Sequence, residues 1–202
     1  MSNNLELREV RKSFGDFVAV DGVSLEVPPG AVFGLLGENG AGKTTSIRMI
    51  MDILAPDRGE VLFFGRARRP EDLQRVGYLP EERGLYRKMT VSDHLLFFAE
   101  LHGVERRRGQ KLIAEWLERV ELGPWAKAKV EALSKGMQQK IQLAGALLHG
   151  PSLAVLDEPF SGLDPVGVDV LSGELARQVA PRRGGRVLEP PARAGRASLR
   201  GR

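Results

Sequence analysis

The chain has 202 residues, of which 42% are hydrophobic and 28% charged, enough for one α/β domain with a core and too few for two. It has no cysteine, which excludes disulfide scaffolds and cysteine-based zinc sites. The net charge of +4 hides an uneven distribution: residues 177–202 hold eight arginines and one acid, Glu189, and so carry +7, which leaves −3 for the rest. Because the basic residues lie in a tail, we expect no nucleic-acid partner.

No segment approaches the roughly 20 consecutive apolar residues that a membrane-spanning helix needs. The first ten residues also lack the apolar core of a signal peptide. We therefore expect a cytoplasmic chain that meets the inner face of a membrane only through a partner.

The N-terminal part of the chain reads as strands over residues 5–27, with a turn near 14–16. The short apolar run 31–36 predicts a strand that is buried on both faces. A glycine-rich loop follows, and then a helix is predicted from about 44 to 54. Strands are predicted again at 61–64 and 76–79.

The middle of the chain predicts a helical insertion, from about 88 to 150, within an α/β frame. Thr90 and Asp93 have the spacing of a capping box and should open its first helix. A buried strand is predicted at 153–156. Asp164 and Pro165 are typical of a helix start, here of a helix that runs to about 179.

The glycine-rich loop fits the P-loop pattern G-x-x-x-x-G-K-[ST] in full, between a predicted strand and a predicted helix. Its backbone N–H groups and the helix N-terminus would take phosphates, with Lys43 at the β- and γ-phosphates and the Thr44 hydroxyl on Mg²⁺. A chance glycine-rich turn is the alternative, which this context disfavours. The predicted ATP-binding residues are Gly37, Asn39, Gly40, Ala41, Gly42, Lys43, Thr44 and Thr45.

Two acids, Asp157 and Glu158, end the predicted strand 153–156. Alone they would suit a solvent-facing strand end. Beside a P-loop, Asp157 is predicted to hold Mg²⁺, and Glu158 to polarise the water that attacks the γ-phosphate. We therefore predict Glu158 and Lys43 as the catalytic residues.

Between these motifs stands Leu-Ser-Lys-Gly-Met-Gln-Gln-Lys, at residues 133–140. It resembles the signature motif of ABC ATPases, L-S-G-G-Q, although Lys135 and Met137 depart from it. Residues 159–164, Pro-Phe-Ser-Gly-Leu-Asp, resemble the D-loop of the same family. The resemblance covers residues 5 to about 179. It implies a P-loop NTPase fold with a RecA-like core, an N-terminal antiparallel β part and an inserted helical subdomain.

The resemblance also implies roles for residues outside the P-loop. Two copies of the chain, or this chain and a second ATPase subunit, would sandwich ATP head to tail. Ser134, Gly136 and Asp164 would then act at that shared nucleotide. Phe14 would stack on adenine, with a core position as the alternative. Glu81 stands where the family has a glutamine that contacts Mg²⁺, and a carboxylate can also ligate that ion.

The function implied is an ATPase that powers membrane-spanning permease subunits, and residues 81–86, Glu-Glu-Arg-Gly-Leu-Tyr, are similar to a subset of ABC-2 exporters. Alternatives are a soluble ABC protein acting on ribosomes or DNA, and a nucleotide-binding remnant with impaired turnover. The remnant alternative rests on a switch histidine that the family has after the D-loop. In this sequence His94, His102 and His149 all precede the D-loop.

The last segment, 181–202, differs in kind from the rest of the chain. Arg, Gly, Pro and Ala fill 17 of its 22 positions, so we predict a disordered tail. The composition also suggests a truncated or frameshifted end near residues 180–183. In that case this chain should bind Mg-ATP but turn it over slowly.

Overall fold

The computed structural model describes residues 3–38, 40–82, 84–179 and 195–198. The described residues form two compact units, which are treated separately below. The first comprises described residues of Met1–Leu73 and Val179–Arg202, and the second is formed by Gln74–Gln178.

An antiparallel sheet makes up most of the first unit. Its strands are β1 (Leu5–Phe14), β2 (Phe17–Val27), β4 (Arg58–Phe63) and the two-residue β5 (Arg66–Ala67), in the order β2-β1-β4-β5. A tight turn with Gly15 at φ +58° joins the two longest strands, which confirms the predicted hairpin. Their inward side chains, with those of β4, give a small apolar core that includes Leu7, Val10 and Phe63.

The P-loop of the first unit lies between β3 (Phe33–Leu36) and α1 (Lys43–Ile50). We predicted β3 to be buried on both faces, but its residues are half-buried, and Leu36 is 52% exposed. The helix also ends four residues before the predicted position. Arg68 donates to the carbonyls of Met49 and Ile50, at 2.8 and 2.7 Å, and so caps the last turn.

A strand that the sequence did not predict, β8 (Gly195–Ser198), pairs in parallel with β3. Its four residues carry no apolar alternation, so pairing with the backbone of β3 is what makes the segment regular. At these residues the structure differs from the predicted disordered tail. The rest of that tail, and the weak strand signal at 186–188, lie outside the described residues.

Two parallel strands and four helices organise the second unit. β6 (Val76–Leu79) pairs with β7 (Leu153–Leu156), with Leu79 opposite Leu156. Three of the helices form the predicted insertion, and their apolar faces bury Leu95, Trp116 and Ile141 in one core cluster. The helices are α2 (Val91–Leu101), α3 (Arg106–Arg119), α4 (Lys135–Leu147) and α5 (Pro165–Val179), with short 3₁₀ turns at Gly123–Trp125 and Val130–Ala132. A further 3₁₀ turn, Pro70–Arg75, crosses the boundary between the residue ranges of the two units.

Over the part of the chain that the structure describes, no helix combines the length and the apolar character that a bilayer crossing requires.

Candidate functional site

The P-loop backbone follows a path that glycine makes possible. Gly40 and Gly42 have φ of +84° and +82°, a left-handed region that other residues rarely adopt. At Gly42 a side chain is also excluded by space, because a Cβ there would overlap the carbonyl oxygen of Ala19 on β2. The second glycine is therefore required both for the turn into α1 and for the close approach of loop and strand.

Lys43 is the first residue of α1, and its ammonium lies over the loop. Its Nζ donates to the carbonyl oxygens of Gly37 and Glu38, at 2.8 and 2.9 Å. An ammonium group has three N–H donors, so this position leaves capacity for a phosphate oxygen. Thr44 and Thr45 follow in the first turn with half-buried side chains.

The N-terminus of α1 has neither a side-chain cap nor an acidic residue in its first turn. Its early N–H groups and its partial positive charge are thus available to an anion. Ala41 N–H donates to Glu38 O at 3.1 Å, which tightens the loop just before the helix. Asn39, which the sequence also assigns to this loop, lies outside the described residues.

Phe14, the predicted adenine-stacking residue, ends β1 with half of its surface exposed. This excludes the alternative of a core position. The ammonium of Lys12 lies 5.9 Å from the ring centroid. An exposed aromatic face of this kind can accept a flat base, and its role with adenine stays a prediction.

In the second unit, Asp157 and Glu158 directly follow β7, as the sequence predicts. Asp157 is 7% exposed, and its N–H donates to Leu79 O at 2.9 Å, which extends the pairing of β7 with β6. Glu158 is exposed and has φ +48°, a conformation unusual for a residue with a side chain. The two carboxylates thus differ sharply in their access to solvent.

The signature motif opens α4. Ser134 is the N-cap, and its Oγ accepts a hydrogen bond from Met137 N–H at 3.2 Å. Gly136 lies close to the D-loop, since a Cβ at Gly136 would stand 3.5 Å from the carbonyl oxygen of Gly162. The structure therefore brings the two motifs together within the second unit.

Asp164 caps α5 through Oδ1, which accepts from Gly167 N–H at 2.9 Å. Its side chain is exposed, so the cap leaves it accessible. This confirms the predicted helix start. The cap is a structural role, and the role at a shared nucleotide is a further prediction.

Two residues of this region that the sequence did not single out are glutamines of α4. Gln139 and Gln142 are 5% and 9% exposed, and their amides donate to main-chain carbonyls in the loops after β7 and β6. The loop after β6 carries Glu81, which is exposed. The signal in the sequence was their spacing of three residues on an otherwise apolar helix face.

The histidines, all in the second unit, are packed among other side chains. Burial lowers the pKa of His94 to about 4, and its ring lies 4.9 Å from that of Phe98. His102 and His149 stack with ring centroids 3.8 Å apart, and burial together with the charge of His102 lowers the pKa of His149 to about 4. These contacts indicate packing roles.

Each unit has an oxygen donor that the sequence predicts for Mg²⁺. Mg²⁺ at phosphate sites takes one or two protein oxygens, with the phosphates and water completing its shell. The Thr44 hydroxyl, half-buried, and the buried Asp157 carboxylate are oxygens of this kind. No group of three or more His, Cys, Asp or Glu side chains is placed to hold a metal among the residues described above.

The fold and the glycine-rich loop define a P-loop nucleotide-binding domain of mixed α/β structure. The sequence profile of the family described as ABC transporter matches residues 20–161, and the chain belongs to this family.

Known relatives agree with this classification. The chain is 52% identical to the "uncharacterized ABC transporter ATP-binding protein YhaQ" of Bacillus subtilis (strain 168), over 83% of this chain and 56% of that protein. It is 42% identical to the "Nod factor export ATP-binding protein I" of Burkholderia pseudomallei (strain 1710b), over 80% of this chain and 54% of that protein. The chain spans about half the length of these curated relatives.

A solved structure described as the ATP binding subunit of an ABC transporter superposes with a TM-score of 0.80. The two are 30% identical, and the match covers 87% of this chain and 74% of the other. The predicted fold class is thereby confirmed.

Proposed function

We propose that the chain binds Mg-ATP and hydrolyses it as the nucleotide-binding subunit of an ABC transporter. The observation that carries this proposal is the P-loop, where two left-handed glycines, Lys43 and the uncapped start of α1 offer donors and positive charge to phosphates. Membership of the ABC transporter family and the names of its relatives support the same function.

The phosphates would be held by the loop backbone and by Lys43. The Thr44 hydroxyl and the Asp157 carboxylate would hold Mg²⁺, with Glu81 as a further oxygen donor. The bound ion would neutralise part of the charge on the phosphates.

Glu158 would act on the attacking water. Its exposed carboxylate can accept a hydrogen bond from water and take up the proton as the new P–O bond forms and the bond to ADP breaks. We propose that its left-handed backbone serves to present the side chain in this way.

A second ATPase subunit would complete the site. Ser134 and Gly136 stand at the N-terminus of α4, which has no acid in its first turn and so suits a phosphate of the partner's nucleotide. Asp164 in the neighbouring D-loop would meet the same partner. Phe14 would stack on the adenine of the chain's own nucleotide.

The partners would be permease subunits that span the membrane and hold the chain at its inner face. Among directions of transport we propose export, as in the ABC-2 subset. The glutamate pair at Glu81 and Glu82 supports this proposal, as does a relative whose name specifies export.

The direct test is phosphate release from Mg-ATP by the purified chain and by Glu158→Gln. The substitution should lower kcat about 100- to 1,000-fold, because one positioned group is lost from the transition state, while the Kd for ATP stays unchanged. Glu118→Gln, at an exposed position of α3, is the matched control and should keep the rate of the parent chain.

The two alternatives are tested by phosphate release and by copurification. ATP binding without any phosphate release would support a remnant with impaired turnover. Association with ribosomes, instead of copurification with the membrane protein encoded beside it, would support a soluble ABC protein. Release that is equal for the parent and Glu158→Gln would show that Glu158 is not the catalytic carboxylate.

A further inference from the structure

Helix α4 places two amide side chains in the core of the second unit. Its neighbouring residues Ile141, Leu143 and Ala144 are fully buried, and Gln139 and Gln142 are nearly so. An amide taken out of water costs stability unless it is hydrogen-bonded. Apolar residues would serve packing alone better, so the partners of these amides indicate what they do.

Gln139 holds the loop that follows β7. Its Nε2 donates to the carbonyl of Pro159 at 3.0 Å and, at the longer distance of 3.5 Å, to that of Glu158. The Glu158 carbonyl also accepts from Ser161 N–H at 3.0 Å. A left-handed backbone at a residue with a side chain persists only where its surroundings fix it, and these donors fix it at Glu158.

Gln142 holds the other loop, which follows β6. Its Nε2 lies 3.4 Å from the carbonyl oxygens of both Pro80 and Glu82 and is shared between them. Glu81 stands between these two residues. The two glutamines are three residues apart and so occupy one face of α4.

The two loops leave the sheet side by side. β6 and β7 are adjacent parallel strands, and Asp157 N–H donates to Leu79 O just beyond β7. One helix face thus reaches the two loops that carry Glu158 and Glu81. The same helix begins at Ser134, so the signature motif and both loops share one rigid element.

We propose that Gln139 is the positioning residue for Glu158, and that Gln142 is the positioning residue for the loop of Glu81. The inference rests on the proposed function only in taking Glu158 as the catalytic carboxylate. Through these two amides, the orientation of α4 sets the backbone from which each carboxylate projects. A shift of the helix at Ser134 is therefore transmitted to both loops.

Hydrogen–deuterium exchange and amide NMR spectra of the full chain test these two contacts without requiring turnover. Gln139→Met should raise exchange about 10-fold or more at Ser161, whose N–H donates to the Glu158 carbonyl, since a lost buried hydrogen bond opens the loop that it held. It should leave the amide resonances of Glu81 and Glu82 unchanged. Gln142→Met should shift those two resonances and leave exchange at Ser161 unchanged. A response of both loops to one variant, or of neither loop, would overturn the proposal.

Lys140→Met supplies the matched control from the same helix. The Lys140 ammonium donates to Val120 O at 3.2 Å, just after the end of α3. The variant removes a half-buried polar side chain from α4. Exchange at Ser161 and the amide resonances of Glu81 and Glu82 should equal those of the parent chain, and a change there would contradict the assignment.

A double-mutant cycle in ATP hydrolysis tests the link to Glu158. Gln139→Met should lower kcat about 10- to 100-fold, because a misplaced group costs that much, and should leave KM within about twofold. In the Glu158→Gln background, the same change should lower the residual rate less than about threefold, because its target is already absent. A full additive loss would mean a merely structural role and would overturn the inference.

The two proposals fail in different ways. If Glu158→Gln hydrolyses ATP like the parent, the catalytic assignment under the proposed function is wrong, even where each glutamine variant affects only its own loop. If Glu158→Gln is impaired but Gln139→Met is not, the proposed function stands and the positioning role of Gln139 is rejected.

Discussion

The N-termini of α1 and α2 begin in opposite ways. At α2, Thr90 Oγ1 accepts from Asp93 N–H at 3.1 Å, and the acid Asp93 stands in the first turn. At α1, Gly42 occupies the N-cap without a side-chain bond, and the first turn has no acid. Four N–H groups at each helix start need acceptors. The chain supplies some of these acceptors at α2, and we propose that a bound phosphate supplies them at α1. Capping would then distinguish a structural helix end from a binding one.

Helix α4 stands between these two cases. Ser134 caps it, as Thr90 caps α2, but its first turn holds the cation Lys135 and no acid. A cation at a helix N-terminus opposes the helix dipole, by about 0.3–1 kcal/mol. The chain thus accepts a small cost where we propose that a phosphate of the second subunit binds.

The largest expected effect comes from Gly42→Ala, which changes the N-cap residue of α1. The left-handed φ costs about 1–2 kcal/mol for a residue with Cβ, and the overlap with Ala19 O adds about 1–3 kcal/mol. The free energy of unfolding in urea should fall by about 3 kcal/mol, and ATP binding should be lost.

Gly40→Ala is the matched control for Gly42→Ala. It has nearly the same φ, but an added Cβ would meet nothing within 4 Å. Its loss of stability should be the left-handed penalty alone, about 1–2 kcal/mol. Equal losses in the two variants would show that the contact with Ala19 does not constrain the loop.

Next in size is Lys43→Ala, which keeps the α1 terminus but removes its cation. Charged hydrogen bonds contribute about 1.5–3 kcal/mol, so the Kd for ATP should rise roughly 10- to 150-fold in equilibrium titration. Lys111→Ala, at an exposed position of α3, should leave the Kd unchanged. Near-normal affinity in Lys43→Ala would count against the P-loop assignment.

Ser134→Ala tests the N-terminus of α4, which is intermediate between those of α1 and α2. Loss of the cap should lower the free energy of unfolding by about 1 kcal/mol. If Ser134 also meets a phosphate, ATP turnover should fall about 10-fold as well, as for a lost hydrogen bond to a charged group. Ser134→Asn, which keeps a capping oxygen, should recover the stability but not the turnover. Recovery of both would reduce Ser134 to a cap.

Local chemistry made much of this molecule predictable. The turn at Gly15, the cap at Thr90 and the helix start at Asp164 depend on neighbours within a few residues, and the structure has each of them. The P-loop could be placed for the same reason, since its glycines and its flanking strand and helix are contiguous.

What escaped prediction depends on partners far away in the chain. The early end of α1 is set by Arg68, and the pairing of β8 with β3 joins segments about 160 residues apart. The amide of Gln139 finds its acceptors 19 and 20 residues further on. Periodicity marks such a residue as inward-facing but does not say which group it contacts. The hydrogen bonds from Gln139 to the loop after β7 could therefore be found only in the folded chain.

Thr90→Ala has the smallest expected effect, and it tests the capped N-terminus of α2. It removes the acceptor of Asp93 N–H and the hydroxyl that donates to Asp93 Oδ2 at 2.6 Å. The backbone at this end stays anchored, because Val91 N–H donates to Ala128 O at 2.9 Å, and so the loss of stability should not exceed about 1 kcal/mol. Unfolding in urea should show a lower midpoint at an unchanged m-value, while the Kd for ATP and kcat stay those of the parent. A changed Kd would mean that the α2 terminus also serves binding, and the distinction between capped and uncapped helix ends would then not hold in this chain.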